Sequence, residues 1–141
     1  MSDTPRLPGL TLADADHLVT TALAVGAEQG LPPLAVAVVD LTGEVIVLRR
    51  ADGGMPATSR VAVAKARTAL RMLKATSEIA LPGPIVDTIQ HLYDGDFVAG
   101  PGGVLVTDGD LILGAAGASG ARGVEDEEAV RIAVERWQAQ A

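Results

Sequence analysis

At 141 residues with a formal net charge of −7, the chain is long enough for one buried core and too short for two domains. Its acidity excludes non-specific binding to nucleic acid or an anionic membrane as a leading role, and the absence of cysteine excludes disulfides, thiolate nucleophiles, zinc–cysteine sites and iron–sulfur clusters. Hydrophobic residues make up 48% with one Trp, one Tyr and one Phe, so the core must be built from small aliphatic side chains. A mean hydropathy of +0.31 without a membrane-length apolar run points to burial between identical subunits.

The opening Met1-Ser2-Asp3-Thr4-Pro5 has no basic region followed by an apolar run, and the expected location is cytoplasmic. Residues 1–9 read as an irregular arm and 10–141 as one domain. Thr11 can cap a helix whose Leu12, Ala15, Val19, Ala22, Leu23 and Gly26 share one face, with Gly30, Pro32 and Pro33 ending it. Residues 34–39 form a continuous apolar run, which suits a strand buried on both faces. Asp40-Leu41-Thr42-Gly43 turns it into a partner over 45–48, with Gly43 supplying a positive φ.

Residues 59–74 predict a second helix whose apolar stripe, Ala62, Ala66, Ala69, Leu70 and Leu73, is mostly alanine, allowing close approach to a sheet. A short amphipathic helix is expected within 82–96, running to Leu92, and a further strand over 97–99. Asp108-Gly109 between the apolar runs 104–107 and 111–113 signals a hairpin. The glycine-rich stretch 114–120 is expected to lead into a last helix over 124–138, with acids at 125–128 in its first turn. The order gives an α/β (α+β) class with about five strands, mainly antiparallel.

Gly114-x-x-Gly117-x-x-Gly120 invites a phosphate-cradle reading. The spacing is not that of a dinucleotide fingerprint, no acid-bearing strand is expected after it, and four acids at 125–128 would repel phosphate. A crossover where only small residues fit is the better account, although the backbone N–H groups of Ser119 and Gly120 could still face a carboxylate.

These residues carry a family resemblance. Leu10-Thr11-Leu12 before an Ala-rich helix comes first, then Val36-Ala37-Val38-Val39-Asp40 with Gly43 and Arg50-Ala51-Asp52-Gly53. Ser59 through Lys65-Ala66-Arg67-Thr68-Ala69 follows, and Gly114 to Gly120 with Asp126-Glu127 closes the set. In that order, over about residues 10–138, the chain resembles the GlcG/HbpS-like family, which includes the C-terminal domain of PduO proteins. The resemblance implies a profilin-like sheet flanked by helices, association into dimers or larger rings, and, for some members, binding of heme or a corrinoid. Leu105 stands where many relatives carry a proline, which predicts a different ligand preference at the adjoining loop.

Residues 49–74 hold seven bases, Arg49, Arg50, Arg60, Lys65, Arg67, Arg71 and Lys74, against Asp52 alone. The other positions hold 17 acids and four bases. On a helix Arg60, Arg67, Arg71 and Lys74 share one stripe while Lys65, Thr68 and Met72 share another. One stripe could clamp heme propionates or a small acid; the alternative is a solvated or ion-paired face.

His17 and His91 are the two imidazoles and the candidate nitrogen ligands for heme iron, with Tyr93 as a candidate oxygen donor. The bland readings are a surface His17, a His91 stabilising a helix C-terminus and a packed Tyr93. Two functions are therefore expected in competition. One is an oligomeric binder of heme or a related flat anion, using His17, His91, Tyr93, Arg60, Lys65, Arg67, Ser119 and Gly120. The other is a cofactor-independent enzyme for a small organic acid, with Lys65, His91 and Asp40 supplying acid/base chemistry and Arg67 gripping carboxylate. A third reading, an accessory oligomer with no ligand, and a purely structural Lys65 paired with Asp40 or Asp126, stand beside them. No catalytic triad, zinc-protease or P-loop motif is present.

Overall fold

The structure is a computed structural model describing residues 4–140. Its elements run α1 (Leu12–Glu28), β1 (Ala35–Val39), β2 (Val45–Arg50), α2 (Ala57–Met72), a 3₁₀ turn (Thr76–Glu78), α3 (Gly83–Leu92), β3 (Gly103–Asp108), β4 (Leu111–Ser119) and α4 (Gly123–Ala139). The sheet is antiparallel throughout, in the order β2-β1-β4-β3.

Three layers result, and the alternation along β1 shows why. Val36 and Val38 join the α1 and α4 core, whereas Ala35, Ala37 and Val39 meet α2. All five residues are fully buried, as a central strand covered on both faces requires. The larger side chains fill the thick layer, and the alanines let α2 lie close.

The pairing of Ala37 with Gly117 and of Gly117 with Gly103 lays a row of small residues across the sheet beneath α2. A Cβ on Gly117 would sit 2.2 Å from the Ala62 carbonyl oxygen, and one on Gly103 would sit 2.3 Å from that of Lys65. The glycines are thus required by close approach of a helix backbone. This corrects the expected crossover loop: residues 114–119 lie inside β4, and the helix they accommodate is α2 rather than the one that follows them.

The strand expected at 97–99 does not form, leaving four strands rather than five among the described residues. Side chains satisfy that segment's backbone instead. Thr68 Oγ1 accepts from the Val98 N–H at 2.9 Å, and Gln90 Nε2 donates to the Phe97 carbonyl at 3.2 Å. A bonded segment whose partners are helix side chains has nothing to gain from the β3 edge.

Thr11 caps α1 as expected, its hydroxyl accepting from the Asp14 N–H at 3.1 Å while Asp14 Oδ2 accepts from the Thr11 N–H at 3.0 Å. Gly43 closes the β1–β2 turn at φ 83°. α2 begins two residues before the expected start and stops at Met72, with Leu73 in the left-handed region, so Lys74 lies outside the helix. Within α3 no residue is buried. No described helix is long and apolar enough to cross a membrane.

Candidate functional site

α2 covers β1, β4 and β3 far more fully than edge strand β2. Where it leaves β2, a groove of about 590 Å³ opens between Leu48, the outer side of α2 and the loop from Tyr93 to Val98. That size is within the ~300–1,000 Å³ common for small-molecule sites. Leu48, Val61, Val63, Ala64 and Val98 supply apolar wall; Ser59, Arg60, Arg67, Tyr93, Asp94 and Asp96 supply the polar groups.

The two arginines differ. Arg67 donates through Nε to the Gly43 carbonyl at 2.8 Å and through Nη1 to Asp96 Oδ2 at 3.3 Å. Arg60 is exposed and makes no hydrogen bond or ion pair among the described residues. Tyr93 lies nearly parallel to Phe97, with ring centroids 6.4 Å apart, and the Arg71 guanidinium sits 4.0 Å from its ring centre. Phe97 is itself buried, which anchors the loop.

Comparison with known families fits this geometry to a lineage. The model described as "Haem degrading protein HbpS-like" matches residues 10–135. The chain belongs to the HbpS-like family. It is 29% identical over 133 residues to the corrinoid adenosyltransferase PduO of Citrobacter freundii, covering 92% of this chain. It spans only 40% of that relative's length. The structure of HbpS superposes with a TM-score of 0.82 at 28% identity, covering 95% of this chain and 94% of that one. A PduOC:heme complex superposes with a TM-score of 0.78 at 25% identity, covering 90% and 94%. The ORFY protein of Klebsiella pneumoniae, at a TM-score of 0.86 and 22% identity over 99% and 97%, shares the fold.

In this HbpS-like chain the remaining candidates are dispersed. Lys65, on the α2 face opposite the groove stripe, is buried with its Nζ 3.0 Å from Asp126 Oδ2. The second basic stripe is therefore a core face, and the ion pair is one of the two structural alternatives raised by the sequence. Asp40 belongs to the β1–β2 turn: its Oδ1 accepts from Thr42 Oγ1 at 2.5 Å, Thr42 N–H at 2.8 Å and Glu44 N–H at 3.3 Å. Partial burial opposes its ionisation, but these three donors outweigh that and hold the carboxyl below its ordinary value. His91 is exposed in the last turn of α3.

Lys65, Asp40 and His91, expected to supply acid/base chemistry together, do not meet in the groove: none of the three lines it. A lysine already bonded to a buried carboxylate and an aspartate consumed by a turn have no free function to share. Ser119 ends β4 opposite Ala35, and a Cβ on Gly120 would meet the Pro33 carbonyl at 2.4 Å, so both are structural positions away from the groove. His17 lies on α1, its Nε2 buried without a hydrogen-bond partner among the described residues, and it too is outside the groove.

Arg60, Arg67 and Tyr93 are thus the sequence candidates that converge. Sequence reasoning missed Asp94 and Asp96. The only available signal was their position beside Gly95 after an aromatic residue, and no spacing rule links position 96 to 67.

Proposed function

We propose that this protein binds heme or a closely related flat anionic ligand in the groove, its ring against the apolar wall and Tyr93 and its carboxylates toward Arg60 and Arg67. The observation that carries this reading is the exposed Arg60 guanidinium, free of any acid among the described residues, on the rim of an aliphatic wall. A carboxylate arriving there gains a charge-assisted bond without displacing a resident partner. The heme-bound relative and the HbpS structure support the choice of ligand.

The donor set fits heme in part. Tyr93 is the one conventional iron donor among the lining residues, and we assign it that role ahead of His91 and His17. Heme bound there would supply a redox-active iron centre; the chain itself would orient the ring and neutralise its carboxylates. We also infer a homo-oligomer: Ile85 and Leu92 on α3 are exposed apolar residues, and identical subunits are the simplest cover for them.

Hemin titration tests the reading. A saturable Soret shift is expected, altered in band position by Tyr93→Phe and abolished by Val61→Trp, which fills the groove. No spectral change at micromolar hemin, or binding undisturbed by Val61→Trp, would overturn it.

A further inference from the structure

A second cavity of about 520 Å³, bordered by Thr42, Gly43 and Glu44, adjoins the groove, and Arg67 and Asp96 line both. Asp96 Oδ2 takes bonds from two guanidinium groups, Arg67 Nη1 at 3.3 Å and Arg71 Nη2 at 3.1 Å. Both distances are longer than the ~2.7–2.9 Å of a well-made charge-assisted bond. All three side chains keep between about a quarter and a third of their surface in contact with water.

Neither arginine depends on the carboxylate for its place. Arg67 is held by the Gly43 carbonyl, and Arg71 by the Asp96 backbone carbonyl and the Tyr93 ring. Withdrawing the Asp96 side chain would leave a two-guanidinium fork standing, matched in charge and donor geometry to a carboxylate. Within the groove the present balance is neutral: Arg60 and Arg67 face Asp94 and Asp96.

We propose that Asp96 is a resident competitor, its carboxylate filling the Arg67–Arg71 fork until a ligand carboxylate exchanges with it, so that Asp96 sets the site's selectivity for carboxylate-bearing ligands. This deepens the groove reading and rests on it for the identity of the ligand, though not for the exchange itself. A neutral flat molecule gains nothing from the exchange. A ligand whose carboxylate engages both guanidiniums more closely than Oδ2 does displaces it.

Hemin and hemin dimethyl ester, titrated into the wild-type protein and the Asp96→Asn and Asp94→Asn variants, test the idea. Asp94 lines the same groove, so its variant changes net charge equally without freeing either arginine. Asp96→Asn is expected to tighten hemin binding about five-fold, the scale of one partly exposed ion pair, and to leave the ester unchanged. Equal effects of the two variants, or none from Asp96→Asn, would overturn the competitor role while leaving the groove reading intact.

A readout without heme separates the two ideas. Benzoate is added while the Arg67 and Arg71 Nε–H signals are followed by NMR. These should move at lower benzoate concentration in Asp96→Asn than in the wild type; the same response in both overturns the inference. Loss of hemin binding in every protein, with the benzoate difference preserved, overturns the groove's heme assignment alone. Asp96→Ser, with thermal melts of each variant, guards against an effect of a loosened loop.

Discussion

Lys65 Nζ and Asp126 Oδ2 meet at 3.0 Å with both side chains almost completely removed from water, joining the middle of α2 to the first turn of α4. Asp126 Oδ1 also accepts from the Ala121 N–H at 2.9 Å, and Gly102 and Gly103 close around the lysine so tightly that a Cβ on either would strike it. Such a pair is costly to form and costlier to break singly, because the survivor is a buried, uncompensated charge. Asp126→Ala is expected to lower unfolding free energy by about 3–5 kcal/mol, and Lys65→Met by a similar amount. The Lys65→Met/Asp126→Leu double variant should recover part of the loss. Urea unfolding monitored by circular dichroism gives all three values, and a double variant as damaged as the sum of its parts would contradict the pairing.

Gly117 is the second structural test. Its lack of a side chain is demanded by the α2 backbone, 2.2 Å from where a Cβ would lie, and its φ is not in the left-handed region. The expected penalty of Gly117→Ala is therefore steric, about 3 kcal/mol at the upper end for overpacked cores. Gly43→Ala has only a distant Arg67 carbon to meet and a φ of 83° to tolerate, and should cost about 1 kcal/mol. Comparable melting temperatures for the two variants would show that α2 does not sit as close as described.

Much of this architecture was legible because it obeys local rules. The Thr11–Asp14 cap, the Gly43 turn and the all-apolar β1 each announce themselves within a few residues. The absent fifth strand was not legible, since Val98 is bonded by Thr68, thirty positions earlier in the chain. The glycine-rich stretch misled for a related reason: Gly117 answers to Ala62 and Ala66, and glycine in a strand looks like glycine in a loop until the crossing helix is known. The site divides the same way. Arg60 and Arg67 were found from helical spacing, whereas Asp96 joins them only through tertiary packing, and Lys65 could be assigned to the buried face only once α2 had a sheet to lie on.

Arg60 and Arg67 should contribute differently to ligand capture. Arg60 has no acid to leave, so Arg60→Ala is expected to weaken hemin binding by about three- to ten-fold, the range of an exposed to partly buried charge-assisted contact. It should also reduce the steepness with which added salt weakens binding. Arg67→Ala removes a guanidinium already shared with Gly43 and Asp96, and should loosen the Tyr93–Val98 loop as well, seen as lower thermal stability. Salt titrations of hemin affinity distinguish these outcomes, and an Arg60→Ala protein identical to wild type would remove Arg60 from the site.

Asp14 makes the junction of α1 with α4 sensitive to pH. Asp14 accepts from the Thr11 N–H and, through Oδ1, from Trp137 Nε1 at 3.2 Å. The Thr11 backbone bond is the main cause of its lowered pKa; burial opposes it, and the Thr11 and Trp137 side chains reinforce it. Since the folded value lies below the ordinary 3.8, the carboxylate stabilises the fold fully above that value, and the contribution fades as pH falls through the folded value. Asp14→Ala should cost about 1 kcal/mol at neutral pH, the usual scale of a lost helix cap. The difference between variant and wild type should shrink steadily below about pH 4. Trp137, the only tryptophan, reports the junction directly: its fluorescence should shift in the variant at pH 7 and in the wild type only under acid. A variant–wild-type gap that stays constant from pH 7 to pH 2 would mean that the Asp14 carboxylate is not what ties the two helices together.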